Sequence, residues 1–82
     1  MKRTKRETIA DMLEALSSKD QKPTHLMYKA NLNHPRMKLL LDELEENALV
    51  EVTGELIRIT EQGRLFLQEY KRAQHLFDSF GI

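Results

Sequence analysis

A mainly helical α+β fold is what this 82-residue sequence predicts: three short helices, a two-stranded antiparallel hairpin and a closing helix. Three observations predict it. Met37, Leu40, Leu41 and Leu44 recur at three- and four-residue steps, which lines them along one face of a helix. Val50-Glu51-Val52-Thr53 and Leu56-Ile57-Arg58-Ile59 flank Gly54-Glu55, two β-rich runs joined by a two-residue turn. Phe66, Tyr70, Ala73, Phe77 and Phe80 then follow at steps of four, three, four and three, a heptad seam.

The length suits one domain with a modest core. With 40% apolar and 32% charged residues, the composition is that of a globular protein. The absence of cysteine excludes disulfides and thiolate zinc sites. No run approaches the ~20 apolar residues of a membrane span. The charged start lacks an apolar signal core, so a cytoplasmic location is expected.

Taken in order, Thr4 and Glu7 match a capping box that opens a first helix running to about Leu16. Ile9, Met12, Leu13 and Leu16 form its inward stripe, and Asp11 and Glu14 face water. Ser17 to Asp20 is a polar break. Lys22-Pro23-Thr24 is expected to be extended, because the residue before proline avoids helical angles, and it suits a short third strand. Thr24 is then placed as the cap of a second helix, residues 25–30, with Leu26, Met27 and Ala30 inward. Asn31 to Asn33 makes the turn. Asn33 caps the third helix, Pro35 sits early where its missing N–H costs nothing, and the pattern ends near Asn47.

In the hairpin, glycine at the first loop position suits a type II′ turn. That fixes the register: Thr53 opposite Leu56, Val52 opposite Ile57, Glu51 opposite Arg58, and Val50 opposite Ile59. Alternation puts the four β-branched residues Val50, Val52, Ile57 and Ile59 on one face and leaves Glu51 to pair with Arg58 on the other. Thr60 caps the closing helix, with Leu65, Leu67 and Leu76 expected to pack on the body. Two helices joined by a tight turn, followed by a hairpin, make a winged helix-turn-helix with a three-helix core, a two-stranded wing and a C-terminal dimerisation helix. Residues 1–62 read as the winged-helix domain and residues 63–82 as the C-terminal helix.

Charge is balanced in total but segregated. Residues 1–38 hold nine Lys/Arg against four Asp/Glu, whereas residues 39–60 hold one against six. The basic half keeps a polyanionic partner open. In a winged helix the start of the third helix enters the major groove, so Asn33, His34, Arg36 and Lys38 are the candidate readers. Asn and Arg can hydrogen-bond base edges, whereas Lys mainly meets phosphate. Thr24, His25 and Lys29 on the second helix are candidate phosphate contacts, and Arg58 is the wing's only cation. Lys2, Arg3, Lys5 and Arg6 read either as a solvated tail or as a phosphate-contacting arm. Opposite the core stripe lie Pro35, Leu39, Asp42 and Glu46, which limits the approach to the first turn or two of the helix.

The segment Thr24-His25-Leu26-Met27-Tyr28-Lys29-Ala30-Asn31-Leu32-Asn33 resembles the threonine…isoleucine-methionine-tyrosine…alanine-asparagine-leucine-serine stretch of a family of small archaeal winged-helix proteins. Leu40-Leu41, Leu44 and Ala48-Leu49-Val50 are similar to a second block of that family. Ile59-Thr60-Glu61-Gln62-Gly63 with Phe66-Leu67 and Tyr70 resembles its closing block. The resemblance implies a chromatin-associated or regulatory DNA-binding protein, nucleoid-associated, that dimerises through its C-terminal helix. Ala48 stands where the family carries glycine, which predicts a tighter or reshaped turn there. The closing helix is also shorter than in the coiled-coil members.

The seam Phe66, Tyr70, Ala73, Phe77 and Phe80 is accordingly the candidate dimer interface; the other reading folds this stripe back on the chain's own core. No catalytic constellation appears. The glycines do not form a phosphate loop, and His25, His34 and His75 lack ligand spacing, so neither a metal nor a cofactor is expected. The expected partners are double-stranded DNA and a second copy, with no membrane. A winged helix used only for protein interaction is the alternative.

Overall fold

The computed structural model describes residues 3–82. The elements are α1 (Lys5–Ser18), α2 (Pro23–Lys29), α3 (His34–Glu46), β1 (Val50–Thr53), β2 (Leu56–Ile59) and α4 (Glu61–Ser79). The fold is the winged helix the sequence predicts. Met12, Leu13 and Leu16 of α1, Leu26 of α2, and Met37, Leu40, Leu41 and Leu44 of α3 meet Val50, Ile57 and Ile59 of the hairpin in one core. Ile9, expected in the stripe, is only half-buried, while Thr8 is buried and donates its hydroxyl to the Thr4 carbonyl at 3.0 Å.

Helix starts follow local chemistry. The Thr4 hydroxyl accepts the Glu7 amide at 3.1 Å, and the Glu7 carboxylate accepts the Thr4 amide at 3.0 Å, closing the capping box. Those bonds from the Thr4 backbone and side chain hold the Glu7 carboxyl below its ordinary value. Asn33 caps α3 through the Arg36 amide at 2.9 Å. Helix α2 departs from expectation. Pro23, not a residue after Thr24, opens it, and Lys22 is a cap without a side-chain bond. Proline's fixed φ suits the first helical position, so the chain enters the helix two residues early and Thr24 lies inside it. The third strand is also displaced. It is a single bridge, in which the Gln21 amide donates to the Ile57 carbonyl at 3.0 Å and the Ile57 amide to the Gln21 carbonyl at 2.8 Å.

Three helix ends are built alike, each with a left-handed residue after the cap: Asn31 (φ 55°), Ala48 (φ 60°) and Gly81 (φ 73°). At the end of α3 the Leu49 amide reaches the Leu44 carbonyl at 2.9 Å and the Ala48 amide reaches the Glu45 carbonyl at 3.0 Å, a Schellman motif with both leucines buried. The turn after α3 therefore keeps the shape a glycine would give, and Ala48 bears the strain of its Cβ. Ala48→Gly is expected to raise stability by about 0.5–1 kcal/mol, read as a thermal melting point several degrees higher.

The hairpin register is the predicted one at all four pairs. Gly54 has φ 61° and Glu55 does not share a positive φ, the pattern of the type II′ turn. Two side-chain expectations fail. Val52 lies on the inward face yet is 41% exposed, because β1 is the outer strand of the wing; its partner Ile57, at the same level, is fully buried on β2, which Gln21 flanks. Arg58 does not pair with Glu51; its Nε lies 3.5 Å from Asp20 Oδ2, brought alongside by the Gln21–Ile57 bridge.

Thr60 joins the end of α3 to the start of α4. Its hydroxyl donates to the Ala48 carbonyl at 2.6 Å and accepts the Gly63 amide at 3.0 Å, and its own amide reaches the Leu49 carbonyl at 3.1 Å. Only Gly63 and Leu67 of α4 are buried. Leu65 and Leu76, expected against the body, are exposed, since at 100° per residue they lie on the side of the helix opposite the buried Gly63 and Leu67.

Candidate nucleic-acid interface

The cap at Asn33 and the ridge Met37–Leu40–Leu41–Leu44 together fix how α3 sits. The ridge is buried, so the first turn is held at the surface. Asn33, His34, Arg36 and Lys38 are all exposed. Their freedom differs. Asn33 Oδ1 is committed to the Arg36 amide, which removes its bidentate reading of adenine. Lys38 Nζ lies 3.3 Å from Asp42 Oδ1 one turn along. Arg36 forms no ion pair with any of the described residues.

Helix α2 adds a second row. His25 and Lys29 are exposed and four residues apart, so they share a face. Lys22, three residues before His25, continues that row and was missed in the sequence reading. Its signal was present in Pro23, which marks Lys22 as the residue at the helix start. Thr24 is exposed beside them. Four residues, Ala30 to Asn33 at the turn, separate Lys29 in sequence from the start of α3.

The remaining candidates are not gathered there. Arg58 is engaged by Asp20. Arg3 pairs with Asp11 at 2.7 Å, and Lys5 Nζ pairs with Glu43 Oε1 at 2.7 Å, towards the far end of α3. Seven residues of helix, about 10 Å, separate Arg36 from Glu43. Arg6 is exposed on the same side as Lys5, and Lys2 lies outside the described residues.

A groove of about 1290 Å³ lies between α4, the start of α1 and the end of α3. Phe66, Tyr70, Ala73 and Phe77 line it, with Ile9 and Leu44 opposite. Tyr70 is half-buried; Phe77 is 52% exposed and Phe80, beyond the groove, 74%. Tyr70 of the stripe thus packs against the chain's own core, whereas Phe77 and Phe80 stand largely clear of it.

Among the described residues no group of three His, Asp or Glu side chains is placed to hold a metal ion, and no helix is long and apolar enough to cross a membrane. A helix pair joined by a tight turn, a third helix with its first turn exposed, and a hairpin wing define the class. The chain belongs to the winged helix-turn-helix family, whose sequence pattern matches residues 2–77. Its fold is similar to that of Sso10a-2, a DNA-binding protein from Sulfolobus solfataricus, at 21% identity and a TM-score of 0.71, covering 94% of this chain and 87% of that one. It is likewise similar to AF1382 from Archaeoglobus fulgidus, at 23% identity and a TM-score of 0.69, covering 90% of each chain. No curated protein sequence matches it.

Proposed function

We propose that this protein binds double-stranded DNA as a homodimer, acting as a transcriptional regulator or chromatin-associated factor at the nucleoid. The observation that carries this reading is the exposure of Arg36 and Lys38 on the first turns of α3, together with that of Lys22, His25 and Lys29 on the preceding helix. The DNA-binding role given to Sso10a-2 supports it. In this reading residues 1–62 engage the duplex and residues 63–82 supply the dimer contact. Phe66, Tyr70, Ala73, Phe77 and Phe80 meet the same stripe of a second copy.

The test is an anisotropy titration of a labelled mixed-sequence duplex at low salt. Binding is expected below tens of micromolar and should weaken with salt as for roughly three to five phosphate contacts per protomer. Arg36→Ala and Lys38→Ala each weaken it, and a lost phosphate contact lowers the salt slope by about one. Asp42→Asn has the opposite effect, tightening binding severalfold, because it frees Lys38 and removes a charge that repels phosphate. Absence of binding at tens of micromolar overturns the reading. It would favour a protein-interaction module, which the acidic wing residues Glu51 and Glu55 and the engaged Arg58 fit.

A further inference from the structure

The crest of α3 carries a residue that neither the core nor phosphate contact explains. Leu39 is 68% exposed, one of the most open large apolar side chains in the body of the protein. At 100° per residue it points almost directly away from the buried ridge. Arg36 stands about 60° round from it on one flank, and Lys38 about 100° round on the other. Arg36 and Leu39 are three residues apart, so their side chains are neighbours on the surface.

Chemistry divides the labour. A leucine at the crest gains nothing from a phosphate, and Asp42, the next crest residue, is repelled by one. If this helix enters a duplex, its crest must meet base edges and only its flanks the backbone. On the major-groove floor the apolar feature is the 5-methyl of thymine. With Asn33 held in its cap and Lys38 by Asp42, Arg36 is the unengaged donor of the first turn that can grip guanine O6 and N7 together.

Resting on the DNA-binding reading above, we propose that α3 reads a guanine and a neighbouring thymine, Arg36 bonding the guanine and Leu39 seating on the thymine methyl. The protein then has a sequence preference of its own, set by two side chains, and is not a pure backbone binder.

The experiment selects bound duplexes from a random pool with the full chain. It then remakes the selected duplex with deoxyuridine in place of thymine, which removes only the methyl groups. Selection is expected to enrich guanine within one or two base pairs of thymine. The deoxyuridine duplex is expected to bind the wild type about three- to fourfold more weakly, the worth of one buried methyl. Leu39→Ala should bind both duplexes alike with an unchanged salt slope, and its far-UV spectrum and melting point should match the wild type. Arg36→Ala should lose preference for guanine by roughly fivefold or more. Binding to every duplex without enrichment, or equal binding of the thymine and deoxyuridine forms by the wild type, overturns this inference and leaves DNA binding standing. A methyl effect that persists in Leu39→Ala overturns the role of Leu39. No binding to any duplex at low salt overturns both.

Discussion

Gly63→Ala is expected to destabilise the protein by about 3 kcal/mol, the upper end of what overpacking costs. In an ordinary helix the same change gains up to about 1 kcal/mol, because alanine is the better helix former. Here the sign reverses. A Cβ on Gly63 would collide with the Leu49 carbonyl oxygen and lie 2.8 Å from Ile59 Cγ1. The carbonyl cannot move aside freely, since it already accepts the Thr60 amide at 3.1 Å. A drop of roughly 12–24 °C in melting temperature is expected for a domain of this size. Gly54→Ala is the control. It has a positive φ but open space, so it should cost only about 1 kcal/mol. Equal melting of Gly63→Ala and wild type would show that the α3–α4 junction is looser than its hydrogen bonds imply.

Phe77→Glu is expected to leave the fold intact and to abolish dimerisation. Phe77 is half-exposed on α4, so little of the protomer's own packing depends on it. In the proposed dimer it enters an apolar contact, and two new carboxylates there would have to be desolvated without partners. Sedimentation should show a monomer at tens of micromolar where the wild type is expected to be a dimer. With one reading head in place of two, affinity for duplex DNA should fall by a factor on the order of 100 or more, the usual worth of a second linked contact. An unchanged sedimentation coefficient in this variant would remove α4 as the contact.

Much of the fold could be read from the chain because its strongest signals are local. Asn33 two positions before Pro35 sets the start of α3, and Gly54 sets the turn that fixes four strand pairs. Periodicity names the face a residue occupies, but not how far the neighbouring surface extends to cover it. That is why Val52 is exposed on a face whose other members are buried, whereas Leu65 and Leu76 lie opposite the buried Gly63 and Leu67. Non-local partners were equally hidden. Asp20 meets Arg58 only because Gln21 bridges Ile57, a contact across 36 positions that no spacing rule announces. At the interface, exposure of the first turn of α3 followed from its apolar ridge. That Asn33 is spent on its own cap, and that Lys22 extends the α2 row, required the geometry. Thr24 illustrates a real competition: a good capping residue lost the position because Pro23 could begin the helix first.

The threonine between wing and closing helix has one more consequence. With its hydroxyl and amide tied to Ala48, Leu49 and Gly63, it leaves no hinge between the element proposed to read DNA and the element that would join two copies. A two-fold pair built this way is a caliper of fixed span. It suits binding sites repeated in phase with the double helix, about 10 base pairs or a multiple apart. Half a turn of inserted DNA would carry the second site to the far side of the duplex, where a rigid caliper cannot follow.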